Sequence, residues 1–169
     1  MAYPTGCWYS KRPSCRTGRP DRPDRAPPGY GPTVDIEKAR DFLREQHRAV
    51  MATYNRDGSV QMSPVTCAVD GDGRVMVSTR ETAVKTRNLR NDPRTSLCVI
   101  TQQFFGQWLL VEGRAEVVSL PDAMELLVDY YRRASGEHPD WDDYRTAMQR
   151  DRRVMVLIDI TRAGPDFHG

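Results

Sequence analysis

Residues 49–79 read, in succession, AVMATYN, RDGS, VQMSPVTCAV, DGDG and RVMVST. The first block alternates, with Val50, Ala52 and Tyr54 on one face, as expected of a strand from Ala49 to Asn55. Asp57-Gly58 supplies the left-handed backbone of a tight hairpin turn. A second strand runs from Val60 to Val69, a second aspartate–glycine turn covers Asp70 to Gly73, and a third strand runs from Arg74 to Thr79. Two hairpins in a row make an antiparallel meander, with no space for the helical crossover that parallel strands need. Pro64 sits within the second strand. It cannot donate to a ladder, so it marks a sheet edge, a bulge or a position facing a ligand.

Downstream, Thr95 to Thr101 reads as a fourth strand and Gln107 to Ser119 as a fifth, in which Gly113 suits the sharp bend of a barrel strand. Arg153 to Thr161 is a last strand, with Val154, Val156, Ile158 and Ile160 alternating. Helical spacing is found in Val34 to Gln46, where Ile36, Ala39, Phe42 and Leu43 share a face. It recurs in a helix starting at Pro121, whose stripe of Ala123, Leu126, Leu127, Tyr130, Tyr131 and Ala134 reads as core packing rather than a cofactor contact. A further helix, capped by Asp140, turns Trp141, Tyr144 and Met148 inward. Six hairpin-linked strands with peripheral helices predict a mainly β (α+β) fold built on a small antiparallel barrel. The interior of so narrow a barrel is filled by side chains, so a ligand has to bind on its surface.

One helix is charged the wrong way round. After the strand Val75-Met76-Val77, the segment Ser78 to Pro93 reads as a short loop and a short helix, with Thr82 as N-cap and Asp92-Pro93 as the stop. A helix N-terminus carries partial positive charge and favours acids in its first turn. The other helices follow that rule, opening with Asp35 and Glu37, with Asp122 and Glu125, and with Asp140, Asp142 and Asp143. This one carries Arg80, Lys85 and Arg87, with only Glu81 in opposition. Cations gathered at an already positive helix end suit a bound anion such as a phosphate; the alternative is a solvated basic face.

Composition narrows the function. The chain has 169 residues, the size of one domain, and 38% of them are hydrophobic. Residues 1–33 hold seven of the twelve prolines, and six basic residues against two acidic ones, which predicts a disordered Pro/Arg-rich tail ahead of a domain at 34–169. The alternative is that translation begins at Val34 and the tail is not made, which tail peptides in a mass spectrum of the native protein would exclude. Of the 25 basic and 23 acidic residues, 19 and 21 fall outside that tail, so the domain has no overall basic field and is not expected to bind nucleic acid. The tail could still act on DNA as an accessory segment, a reading that requires steep salt dependence. Neither a bilayer-spanning apolar run nor a secretory h-region is present, which points to a cytoplasmic protein.

Cys7, Cys15, Cys67 and Cys98 form no C-x-x-C pair and no zinc-like spacing with histidine; Cys67 and Cys98 read as buried apolar residues. His47, His138 and His168 are not paired in sequence with a serine or cysteine nucleophile. Asp142-Asp143 reads as helix capping, and no Rossmann or P-loop glycine motif occurs. No catalytic side chain or metal site is therefore assigned. An anion cradle without acid–base apparatus fits a cofactor enzyme, in which the protein binds and orients and the cofactor reacts.

The run Lys85-Thr86-Arg87-Asn88-Leu89-Arg90-Asn91-Asp92-Pro93-Arg94, with the Asp57-Gly58 hairpin and Ser63-Pro64-Val65 before it, resembles the pyridoxamine 5′-phosphate oxidase-like split-barrel family. The later run Gly136-Glu137-His138-Pro139-Asp140-Trp141-Asp142-Asp143-Tyr144-Arg145, with Asp151-Arg152-Arg153, is similar to its actinobacterial branch of coenzyme F420-dependent oxidoreductases. The resemblance covers about Asp35 to Ile160. It implies a six-stranded split barrel, a homodimer with cofactor grooves at the subunit interface, and hydride transfer from reduced deazaflavin to a small conjugated or aromatic acceptor. It implies that Lys85, Thr86, Ser78, Thr79 and Arg80 hold the cofactor phosphate. Gln61, Ser63, Pro64 and Val65 would lie along the ring, and Trp108 would close the site from the partner subunit. Arg87, with Arg90 and Arg94, would meet the acidic oligoglutamate tail of F420. Two alternatives stand beside this: FMN in the same cradle, and a cofactor carrier or sensor without turnover.

Overall fold

The computed structural model describes residues 32–103 and 105–166. The expected tail lies outside them apart from Pro32 and Thr33, as do Cys7, Cys15 and His168. In chain order the elements are α1 (Ile36–Glu45), β1 (Arg48–Tyr54), β2 (Val60–Val69), β3 (Val75–Arg80), α2 (Val84–Asn91), β4 (Arg94–Ile100), β5 (Trp108–Val118), α3 (Met124–Ser135), α4 (Trp141–Arg150) and β6 (Arg153–Asp166). The strands close into an antiparallel barrel in the order β1-β2-β3-β6-β5-β4, with β4 pairing back onto β1.

Local chemistry sets the turns. Gly58 and Gly73 both have φ of +82°, the region that glycine reaches without steric penalty. Beside them, Asp57 accepts from the Ser59 N–H at 3.0 Å, and Asp70 accepts from the Asp72 and Arg74 N–H groups at 3.0 and 2.8 Å. Gly113 marks one of two register shifts between β5 and β6. A Cβ there would strike the Asp159 carbonyl oxygen and the Ile158 side chain, so glycine is what lets the two strands approach as the barrel bends.

Two cores result, one on each side of the sheet. Inside the barrel, Met51, Val75, Val77, Leu97, Val99, Val111, Val156 and Ile158 are fully buried, under a lid made by Ala39 and Leu43 of α1. Outside it, α3 and α4 press Leu127, Val128 and Tyr144 against Ala68, Met76, Met155 and Leu157. Residues 154–158 of β6 are therefore buried on both faces, not on one as simple alternation predicts, and β6 continues five residues past Thr161. Val50, Ala52 and Tyr54 do share one face of β1, and it is the outer, half-buried one; the inward face is Ala49, Met51 and Thr53. Cys67 is fully buried, but Cys98 is only half-buried on the outer side of β4.

Helix boundaries follow their caps. Asp35 and Asp140 each accept two backbone N–H groups at the starts of α1 and α4. Thr82 is not the N-cap of α2; Ala83 holds that position and provides no side-chain bond. Helix α3 begins at Met124 rather than at Pro121, after a turn at residues 121–123.

Candidate functional site

β2 and β3 pair only between Cys67–Val69 and Val75–Val77. Upstream of Cys67, β2 keeps its partner β1 but leaves its other edge open, and Pro64, opposite Val50, stands on that open edge. A proline costs no ladder bond there. Along this split runs a groove of about 610 Å³. Pro64, Val65 and Thr66 form one wall; Ser78, Thr79 and Arg80 of β3, with Ala83 and Lys85 at the start of α2, form another. Tyr130 and Tyr131 of α3, Tyr144 and Met148 of α4, and Arg153 at the start of β6 complete it.

Helix α2 is fixed by its buried face. Thr86 donates to the Arg80 carbonyl at 2.7 Å, and Asn88 donates to Thr53 Oγ1 at 3.2 Å and to Asn55 Oδ1 at 2.9 Å. With Thr86 anchored, its neighbour Lys85 reaches the groove. The tyrosines are anchored as well: Tyr130 donates to the Thr66 carbonyl at 3.1 Å, and Tyr144 to the Leu127 carbonyl at 2.8 Å. Burial pushes both hydroxyls up to about 12, so they stay neutral. The Tyr131 ring packs edge-on against His138, Trp141 and Tyr144, with centroids 5.1 to 5.9 Å apart.

The groove carries unbalanced positive charge. Arg80 and Arg153 face each other across the β3–β6 ladder, an arrangement that repels. Asp151 lies 3.7 Å from Arg80. Neither Lys85 nor Arg153 has a carboxylate partner among the described residues, and the Nε of Arg153 is buried without a hydrogen bond. Burial first, and then the charge of Arg153, hold the Lys85 ammonium below its ordinary pKa. Glu81 is turned away, held by Arg90 and by the Ser119 hydroxyl. A buried guanidinium nitrogen without an acceptor, beside a second unpaired cation and the Ser78 and Thr79 side chains, fits an anion with several oxygens, such as a phosphate.

Six of the residues expected at the cofactor share this groove: Pro64, Val65, Ser78, Thr79, Arg80 and Lys85. Thr86 does not reach it, being fully buried with its hydroxyl on Arg80; it positions the helix instead. Gln61 and Ser63 alternate with Pro64, and Gln61 accepts from the buried Thr53 hydroxyl at 3.0 Å. Arg87 is exposed on α2, outside the lining. Trp108 lies elsewhere on this chain, in a cleft of about 160 Å³ with Lys38 and Phe42. Of the cations expected to meet an acidic tail, Arg90 is engaged by Glu81, and Arg94 by Asp92 with its guanidinium 5.0 Å from the Tyr54 ring centroid.

Sequence reasoning gave no role to Arg153, and it placed Tyr130, Tyr131, Tyr144 and Met148 in the core alone. The available signal for Arg153 was the Asp151-Arg152-Arg153 cluster just before an apolar strand. Among the described residues no group of three His, Cys, Asp or Glu side chains is placed to hold a metal ion. None of their helices is long and apolar enough to cross a membrane.

Comparison with known proteins agrees with this fold. Residues 36–164 match the family model described as pyridoxamine 5′-phosphate oxidase. An F420H(2)-dependent biliverdin reductase of Mycobacterium tuberculosis is 30% identical over 122 residues, covering 72% of this chain and 80% of that protein. A conserved hypothetical protein of Mycobacterium tuberculosis superposes with a TM-score of 0.63 at 25% identity, over 83% of this chain and 88% of that one. A solved F420 reductase superposes with a TM-score of 0.58 at 21% identity, over 82% and 98%, a likeness of fold.

Proposed function

We propose, since the chain belongs to the pyridoxamine 5′-phosphate oxidase family, that it is an F420-dependent oxidoreductase acting on a small conjugated or aromatic acceptor. The observation that carries this reading is the pair Lys85 and Arg153, unneutralised in a groove beside an open strand edge. The 30% identity to a reductase that uses F420H(2) favours the deazaflavin over a flavin. Bound there, the cofactor supplies the hydride; the chain holds and shields it. Lys85 and Arg153 balance the phosphate charge, and the Ser78 and Thr79 hydroxyls offer hydrogen bonds to its oxygens. Pro64 and Val65 provide the flat wall. Tyr130, Tyr131 and Tyr144 keep water from one side of the groove, and no side chain is assigned to deliver the proton.

The experiment is a paired titration of the cofactor-free protein with F420 and with FMN, followed by cofactor fluorescence. Saturable F420 binding with FMN at least tenfold weaker is the expected result. The reverse order would make the protein a flavoprotein of the same fold. Tight F420 binding without turnover across an acceptor panel would make it a carrier or sensor.

The same reading includes a homodimer. The outer faces of β1, β4 and β5 present half-buried Val50, Ala52, Ile100 and Leu110, and Met62 of β2 is 62% exposed. Apolar surface of this kind suits a second copy, whose Trp108 would then approach the groove. Sedimentation at twice the chain mass is expected; a monomer at micromolar concentration would remove this part of the reading.

A further inference from the structure

Arg153 lines two cavities. The second, of about 460 Å³, lies beyond it from the groove and is formed by Glu81, Ser119, Leu120, Gln149, Arg152 and Arg153. Its shape depends on an uncommon backbone: Arg152 has φ of +51°, the only non-glycine residue with positive φ among the described residues. That conformation is locked from both sides. The Arg152 N–H donates to the Gln149 carbonyl at 3.0 Å, and its carbonyl accepts from the Glu81 N–H at 2.9 Å. The Arg152 side chain is exposed and makes no close ion pair among the described residues, its charge acting on Glu81 only at longer range. The one acid in the cavity, Glu81, is already engaged by Arg90 and Ser119. The cavity therefore carries more positive than negative charge, next to the groove and joined to it through Arg153.

We infer that this cavity takes carboxylate groups which the cofactor carries beyond its phosphate, and that Arg152 is thereby a specificity-determining residue. The inference rests on the reading of the groove as a cofactor site. FMN ends at its phosphate. F420 continues beyond its phosphate into an acidic oligoglutamate chain; of the other cations considered for it, Arg90 of α2 and Arg94 of β4 are paired within the chain, and Arg87 of α2 lies outside both cavities. A strained turn that places a second arginine beside Arg153 in such a cavity has a physical reason if an anion is held there.

The test compares two ligands that share ring and phosphate: F420, and the deazaflavin 5′-phosphate, which ends there. Binding is measured by fluorescence with the native protein and with Arg152→Asn, since asparagine tolerates the positive φ. The native protein should bind F420 about fivefold more tightly than the deazaflavin 5′-phosphate at low salt, an advantage that shrinks as salt is added. In Arg152→Asn that ratio should fall to about one, with deazaflavin 5′-phosphate affinity unchanged, which also reports an intact fold. An unchanged ratio in the variant, or equal weakening of both ligands, overturns the inference and leaves the groove reading in place. Failure of the native protein to bind either ligand overturns both.

Discussion

Gly113→Val is expected to cost about 3 kcal/mol or more of folding stability, a loss read as a lower midpoint in urea denaturation. The cost follows from what the new Cβ meets. Its nearest neighbours are the backbone oxygen of Asp159 and the Ile158 side chain, and the backbone contact cannot be relieved by a rotamer change. Either β5 and β6 separate at their bulge or the barrel opens. Because β6 belongs to both cores, separation there weakens the interior cluster and the seat of α3 and α4 together. Gly71 is the control: a Cβ there meets nothing within 4 Å, so Gly71→Ala should stay within about 0.5 kcal/mol of the native protein. Equal midpoints for the two variants would show that the strands do not approach at Gly113 as described.

The second large effect is on binding. Lys85→Ala and Arg153→Ala should each weaken F420 binding by about 1.5–3 kcal/mol, the range for a hydrogen bond to a charged group, or roughly tenfold to more than a hundredfold in Kd. The two residues are close enough for Arg153 to lower the Lys85 pKa, so the double variant should lose a different amount from the sum. Neither side chain makes an ion pair in the described structure, so thermal stability should change little or rise slightly as repulsion is removed. Unchanged F420 affinity in Lys85→Ala, with the fold intact, would take Lys85 out of the site.

The barrel was legible because its punctuation is chemical. Asp57-Gly58 and the Asp70–Gly73 turn demand φ values that few other residues supply, and Pro64 and Gly113 announce the open edge and the bend. Which face of β1 turns inward is not legible, because both its faces are apolar: Val50 and Ala52 look outward, and Ala49 and Met51 inward. The strand expected to end at Thr161 runs to Asp166, across a Gly164-Pro165 pair of the kind that ordinarily interrupts a strand. Half of the groove was visible as one basic stretch from Ser78 to Lys85. Arg153 and the tyrosines were not, because they lie about fifty to seventy residues further along, and no periodicity tells which distant side chains the barrel brings beside Lys85.

The placement of β6 between β3 and β5 bears on how the protein is made. Emerging last of the six strands from the ribosome, β6 must enter a gap left by strands already synthesised, and every contact it makes with β3 spans more than sixty residues. Such long-range pairing is slow, and until it occurs β3 and β5 each expose an unpaired margin that can engage another chain. Arg153 is the first residue of this final strand. The anion groove is thus assembled only by the step that seals the cylinder, so nascent or truncated chains lacking β6 should not sequester the cofactor.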